Sequence, residues 1–341
     1  MKSIRERGIA ILALAFLCCL FLLMGGASNQ AAEAKKKTWL IGISQPNSTH
    51  PYRRAETTVI TQWDAAHDNV QCIITAAQLS SERQIADIEN LMARGADLLM
   101  VCPHQSDAVV SATQRVRAAG VPIFAFERWL SNDDAMCTII SDQYESGRLA
   151  AEYAVKILNG KGNVVIIEGT PGAAQTIDRQ RAFMDVFKKH PGIKIVADQV
   201  AMYQREYAMT VMENILQANP KIDLVITHDD EMTFGALRAI EAAGRKDEIK
   251  LVSVSGSRVG VEAVMKGDFE FTSALSIGFP LALELAVDYL ENGKVPPKKV
   301  VTPVVGVTKE NAAQIYKLFE PGAEFLSSDY VAALEKMKEK K

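Results

Sequence analysis

Two similar α/β lobes, each a parallel sheet flanked by helices, are the architecture this sequence predicts, on three observations. Apolar runs of strand length alternate with helix-length amphipathic segments along almost the whole chain, which is the pattern of parallel βαβ units. Glycines such as Gly95 and Gly120 stand where helical patterns stop, as helix C-termini favour. Some ten strands in about 300 residues exceed one comfortable sheet, so two sheets of about five fit the length better. Each lobe is then Rossmann-like.

The chain opens with a targeting pattern. Lys2, Arg5 and Arg7 precede an uncharged apolar run from Ile9 to Met24, and small residues follow at Gly25, Gly26 and Ala27 and again at Ala32-Glu33-Ala34. This reads as a secretory signal peptide over residues 1–34, cleaved after Ala27, Ala32 or Ala34. The run is shorter than the roughly 20 residues a membrane-spanning helix needs, so the mature protein is expected to be exported and soluble, which places it in the periplasm. Cys18 and Cys19 lack the small-residue surroundings of a lipid-modified cysteine.

The first series of strands is Trp39–Ile43, Val70–Thr75, Leu98–Val101 and Pro122–Phe126, with Cys137 opening another. Between them Ile85, Ile88, Leu91 and Met92, then Val109, Val110, Thr113 and Val116, have the spacing of amphipathic helices. After Asp142 a second series begins: helix Tyr144–Leu158, strand Val164–Ile167, helix Thr176–His190, strand Ile193–Val200 and helix Glu206–Gln217. Strand Leu224–Thr227 runs directly into Asp229-Asp230-Glu231 and a helix through Leu237. Strand Lys250–Val254, helix Val259–Met265, strand Glu270–Leu275, helix Pro280–Leu290 and strand Val300–Val305 complete the series. The halves show no sequence repeat, so their similarity is inferred from topology. The charged stretch 327–341 reads as a short helical tail.

Without residues 1–34 the chain has 35 basic and 39 acidic residues, a net charge of −4. No basic stripe with interleaved aromatics is present, which argues against nucleic acid. Three cysteines remain, Cys72, Cys102 and Cys137. All fall on strands, none has a C-x-x-C partner or a neighbouring His, and burial as small apolar residues is expected; the sequence leaves open whether any two pair.

In an open parallel sheet, ligands bind beyond the carboxyl ends of the strands. The polar residues at those ends are Ser44 and Gln45 with the loop to Tyr52 and Arg53, then His104, Glu127 and Arg128, Asp142, Asp178 and Arg179, Asp229 and Asp230, and Ser255. A carboxylate accepts bonds from two adjacent hydroxyls and a guanidinium donates a rigid pair, so acids alternating with arginines suit a polyhydroxylated ligand. Tyr52, Trp129 and Tyr203 supply faces for the apolar side of a sugar ring. Any single acid here also fits a helix N-cap, and Asp107 and Glu231 read as capping or first-turn residues that touch no ligand.

Across nearly the whole mature chain the sequence resembles the ribose-type periplasmic sugar-binding proteins of ABC importers, within them the galactofuranose-binding branch. The resemblance rests on Gly42-Ile43-Ser44-Gln45 followed by Tyr52-Arg53-Arg54-Ala55-Glu56-Thr57, on Val121-Pro122-Ile123 leading to Glu127-Arg128, on Ser141-Asp142 and Gly147, on Glu168-Gly169-Thr170 with Ile177-Asp178-Arg179, and on Leu224 to Leu237. It implies a type I periplasmic binding fold whose lobes close over one sugar about a hinge of three crossing segments. The lobes would comprise 35–142 with 276–301, and 143–275 with 302–326. Glu127, Arg128 and Asp142 would line the first, Asp178, Arg179 and Asp229 the second, with Ser255 and Ser276 near the hinge. Arg53 stands where ribose binders carry a ring-stacking aromatic, and Tyr203 where the family often has Phe. Four positions depart from the pattern: Glu127 for Asp, Asp229 for Asn, Ser255-Gly256 for Asp-Gly, and Ser276 for Gln or Glu. They leave open a monosaccharide, a furanose, a polyol or a sugar derivative as ligand.

Partners implied by the resemblance are an ABC permease or, alternatively, a membrane chemoreceptor or histidine kinase, with the binding protein itself a monomer. An enzyme is disfavoured because G-x-S-x-G, H-E-x-x-H, G-x-G-x-x-G after the first strand and a phosphate loop are all absent. His50, His104 and His228 have no metal-site spacing, so neither metal nor cofactor is expected. A DNA-binding repressor is disfavoured by the absence of a helix-turn-helix before the first strand.

Overall fold

The computed structural model describes residues 38–319 and 321–327. The expected signal peptide, and all of the 327–341 tail but its first residue, lie outside them. The first lobe begins β1 (Trp39–Gln45), α1 (Pro51–Ala65), β2 (Val70–Ala76), α2 (Ser81–Ala93), β3 (Leu98–Val101), α3 (Val110–Ala118), β4 (Ile123–Phe126) and β5 (Cys137–Ser141). The chain then crosses into α4 (Gln143–Ile157), β6 (Lys161–Glu168), α5 (Ala174–Phe187), β7 (Gly192–Val200), α6 (Arg205–Ala218), β8 (Leu224–Thr227), α7 (Asp230–Ala242), β9 (Lys250–Val252), α8 (Arg258–Lys266) and β10 (Thr272–Ala274). It returns through β11 (Ser276–Ile277), α9 (Phe279–Asn292) and β12 (Lys299–Thr302), crosses again to β13 (Val305–Val307) and α10 (Ala312–Tyr316), and reaches β14 (Leu326–Ser327).

One sheet has the order β12-β5-β4-β3-β1-β2 and the other β7-β6-β8-β9, and every pairing within them is parallel. β10 continues the second sheet through bridges Val252 to Phe271 and Ser255 to Ala274, and pairs antiparallel with β13. Because helices cover both faces, strand residues are buried on both sides in alternation. In the first lobe Ile41, Ile43, Met100 and Phe124 pack toward α1 and α9, while Leu99, Val101 and Ala125 meet Ile88, Leu91 and Val116. In the second, Val164, Ile166 and Ile226 face Ala150 and Phe183, whereas Val165, Ile167 and Val225 face Met212 and Ile240.

Helix starts follow local chemistry. Ser80, Asp142, Asp229 and Ser257 each accept a main-chain N–H of the first turn. Gly95 and Gly120 end their helices with φ of 82° and 78°, the left-handed conformation a glycine adopts without a Cβ penalty. Cys102 and Cys137 are buried, Cys72 is half-buried, and all three are free thiols.

Two strands differ from expectation. The run Val300–Val305 divides into β12 and β13, which belong to different sheets; Pro303 lies between them and has no N–H for a ladder. Likewise Glu270–Leu275 gives way at Leu275, where β10 ends and β11 begins beside β14. With the step from Ser141 to Gln143, these are three passages between the sheets. The short α10 and β14 are too brief for periodicity to announce them.

Candidate functional site

Beyond the carboxyl ends of both sheets lies a cavity of about 670 Å³. It is lined from the first lobe by Asn47, His50, Tyr52 and Arg53 after β1 and by Glu127 and Arg128 after β4. From the second lobe come Thr170, Gln175 and Arg179 after β6, Tyr203 after β7, Asp229 and Glu231 after β8, and Ser255 after β9, with Gln143 at the crossing.

The first-lobe wall is a charged cluster. Arg53 donates through Nη1 to Glu56 Oε2 at 2.6 Å and through Nη2 to Glu127 Oε2. Cys102 Sγ donates to the same Glu127 oxygen at 2.9 Å. Arg128 is fixed by donating from Nη1 to the carbonyls of Pro103 and His104 at 2.9 and 3.0 Å. Its Nε lies 3.5 Å from Glu127 Oε2 without a hydrogen-bond partner, although the residue is buried. Glu127 turns with φ of 59°, which aims its carboxylate back at this cluster. Burial drives the Glu127 carboxyl upward, but Arg53 and Arg128 outweigh it and hold the group at about 2. Glu56 goes the other way: burial, reinforced by Glu127 and opposed by Arg53, pushes it up to about 7.

The second-lobe wall centres on Arg179, which is 3% exposed. Its Nη1 donates to the His228 carbonyl, and Nε and Nη2 both donate to Gln143 Oε1, at 3.0 and 2.6 Å. Burial first, and Arg179 second, keep His228 neutral, and its Nδ1 accepts the Gly169 N–H at 3.2 Å. Tyr203 has φ of 60° and its hydroxyl pairs with Thr176 Oγ1 at 2.7 Å; burial pushes the phenol up to about 12. Gly169 makes room for that ring, since a Cβ there would stand 2.0 Å from Tyr203 Cζ.

The three acids after β8 take three positions. Asp229 caps α7, Oδ1 accepting the Met232 N–H at 2.8 Å, and lines the cavity. Asp230 points away from it: Oδ1 accepts from the hydroxyls of Ser253 (2.6 Å) and Thr272 (2.8 Å), and Oδ2 from the N–H and hydroxyl of Ser257, both 2.7 Å. Burial raises its carboxyl to about 6 against those four donors. Glu231 lies in the first turn of α7, pairs with Arg205 at 2.8 and 3.0 Å, and lines the cavity.

Of the residues expected at the site, Tyr52, Arg53, Glu127, Arg128, Arg179, Tyr203, Asp229 and Ser255 line one cavity. The others stand behind it. Ser44 Oγ accepts from Gln84 Nε2 at 3.2 Å, Gln45 Oε1 accepts from Thr57 at 3.4 Å, and Asp142 caps α4. Asp178 accepts from Trp129 Nε1 at 3.2 Å, which turns both side chains toward each other rather than into the cavity. Ser276 Oγ is buried without a partner. His50, Gln143, Thr170 and Gln175 line the cavity without having been singled out for it; His50, Gln143 and Gln175 lie within three residues of a site candidate, and Thr170 stands in the Glu168-Gly169-Thr170 motif. Among the described residues no group of three or more His, Cys, Asp or Glu is placed to hold a metal ion.

Residues 41–295 match the model of a periplasmic binding protein domain. The chain belongs to the periplasmic binding protein family. Its relatives in that family include the ribose import binding protein RbsB of Bacillus subtilis, 31% identical over 275 residues that make up 80% of this chain and 88% of the relative. The galactofuranose-binding protein YtfQ of Escherichia coli is 30% identical over 77% of this chain and 85% of its own. A solved galactofuranose binding protein superposes with a TM-score of 0.77 at 28% identity, over 82% of this chain and 97% of that one. The fold of this periplasmic binding protein is thus the type I fold, with the cavity in the cleft between its lobes.

Proposed function

We propose that this periplasmic binding protein captures a monosaccharide, a furanose or a related polyol between its two lobes and delivers it to an ABC permease. The observation that carries the reading is the pairing of buried donors and acceptors around one cavity: Arg128 and Arg179 facing in beside Glu127 and Asp229. Neighbouring hydroxyls can donate to the carboxylates while their oxygens accept from the guanidinium edges. Tyr52 and Tyr203 flank that ring of charge and offer apolar faces to C–H groups. The ribose and galactofuranose specificities of the relatives support a ligand of this class.

Ligand-facing roles fall to Tyr52, Arg53, Glu127, Arg128, Arg179, Tyr203, Asp229 and Ser255, which line the cavity, and not to Ser44, Gln45, Asp142, Asp178 and Ser276, which lie outside its lining. The moving units are 35–142 with 276–301, and 143–275 with 302–326, turning about the three passages between the sheets. Binding then shifts the population toward the closed form, which the permease reads. No chemical step is required. The signal peptide exports the chain to the compartment where the ligand is met.

A thermal-shift screen against D-ribose, L-arabinose, D-galactose, xylitol and myo-inositol tests the reading. A ligand at 100 times its Kd should stabilise the folded state by about 2.7 kcal/mol, and absence of any rise across the panel would defeat the proposed ligand class.

A further inference from the structure

We infer that His50 is a positioning residue of the binding site: its hydrogen bond across the cleft to Asp229 couples closure of the lobes to the carboxylate offered to ligand. The identity of the ligand rests on the function proposed above, whereas the coupling of the lobes does not.

His50 caps α1, its Nδ1 accepting the Tyr52 N–H at 3.3 Å. With Nδ1 acting as acceptor, the ring proton is on Nε2, because the bond made by one imidazole nitrogen sets the state of the other. That Nε2 lies 2.8 Å from Asp229 Oδ2, on the opposite lobe. The loop beneath is fixed by Asn47 Oδ1, which accepts the N–H of Thr49 at 3.1 Å and of His50 at 3.0 Å. Asp229 is equally constrained. Its other oxygen caps α7 at Met232, and its carbonyl accepts from the hydroxyls of Thr227 and Thr233 at 2.8 and 2.9 Å. Each side chain is therefore held by one bond at the start of its own helix and aimed by a second at its partner.

Other contacts among the described residues also join the lobes: Trp129 Nε1 to Asp178 Oδ2 at 3.2 Å, Gln105 Nε2 to the Pro171 carbonyl at 3.0 Å, Ser106 N–H to the Gly172 carbonyl at 3.0 Å, the hydroxyls of Ser141 and Thr302 at 2.8 Å beside a crossing, and an ion pair of Arg54 with Glu324 at 3.9 Å. Of these only Arg54 and Glu324 line the cavity, and their side chains are half exposed, whereas His50 and Asp229 line it with a shorter and more buried bond. The side chains of His50 and Asp229 are 19% and 3% exposed, so their bond is shielded from water at the place where a ligand hydroxyl would meet Asp229. Closure by this pair and recognition by Asp229 involve the same carboxylate. Fixing it in advance spares the ligand the cost of ordering it.

The test uses the mature protein and the tightest binder of the sugar and polyol panel. His50→Asn keeps an N-cap but gives up the reach to Asp229; Asp229→Asn keeps its own cap and turns an acceptor into a donor. His50→Asn should weaken affinity about tenfold, the scale of a hydrogen bond to a charged group, Asp229→Asn at least as much because it also meets the ligand, and the double variant should be no weaker than Asp229→Asn alone. His50→Gln, long enough to donate across the cleft, should recover most of the loss. Circular dichroism spectra of the ligand-free variants should match wild type, showing the fold intact. Unchanged affinity in His50→Asn, or losses that multiply in the double variant, would overturn the inference. If no panel member binds, the ligand class fails instead, and X-ray scattering of the ligand-free proteins decides: His50→Asn and Asp229→Asn must each widen the particle, and radii equal to wild type would overturn the coupling.

Discussion

Replacing Glu127 by glutamine tests how the first-lobe wall manages its charge. Arg53 stands between two carboxylates, Glu56 and Glu127, at a site nearly closed to water. Burial raises Glu56 and the Glu127 charge adds to it, while one guanidinium cannot offset both, so Glu127 is held at about 2 and Glu56 rises from an ordinary 4.5 to about 7. A folded-state value above the unfolded one means that the contribution of Glu56 to stability is complete below pH 4.5 and is lost as pH climbs through about 7. That interval corresponds to about 3 kcal/mol at about 1.4 kcal/mol per unit. Glu127→Gln removes the competing charge and leaves Arg53 to Glu56, which should then ionise at lower pH than in wild type, with burial alone still raising it. Urea unfolding of both proteins between pH 5 and pH 8 measures the difference. Wild type should lose up to about 3 kcal/mol from this group over that interval and the variant measurably less. Glu168, also raised to about 7 by burial and Asp198, slopes the same way in both proteins and cancels in the comparison. Parallel curves for the two proteins would refute the account of the cluster.

Two further substitutions probe how backbone conformation shapes the cavity. Gly169→Ala places a methyl group on the Tyr203 ring and should cost about 1–3 kcal/mol in unfolding free energy while weakening ligand affinity; an unchanged melting curve would show that the ring has room to move. Ser255, held at φ of 109°, occupies a conformation that costs an L-residue about 1–3 kcal/mol, so Ser255→Gly should raise stability by about 1 kcal/mol in urea titration, and a loss would mean that the hydroxyl matters more than the strain.

Much of this architecture was legible in the chain because its causes are local. Alternating strand and helix periods, the strand-end acids Asp142 and Asp229 that cap helices, and the rule that parallel strands end at a ligand cleft depend only on neighbours in sequence. They sufficed to locate Glu127, Arg128, Arg179 and Asp229 at one cavity. Pairings between residues far apart were not legible. Asp178 turned to Trp129, and His50 to Asp229 at a separation of 179 residues, and no periodicity encodes such meetings.

The segment after β8 displays the division most sharply. Sequence alone determined that Asp229, Asp230 and Glu231 open a helix at a strand end, because an apolar run followed by acids is a helix start wherever it occurs. Only the tertiary structure separated them. Asp230 meets the hydroxyls of Ser253, Ser257 and Thr272 away from the cavity, Glu231 reaches the cavity wall but is paired with Arg205 from the preceding helix, and Asp229 lines the cavity and meets His50. Successive residues at a helix start point about 100° apart, so three acids adjacent in sequence face three different surroundings, and what the fold packs on each side decides which of them a ligand can reach.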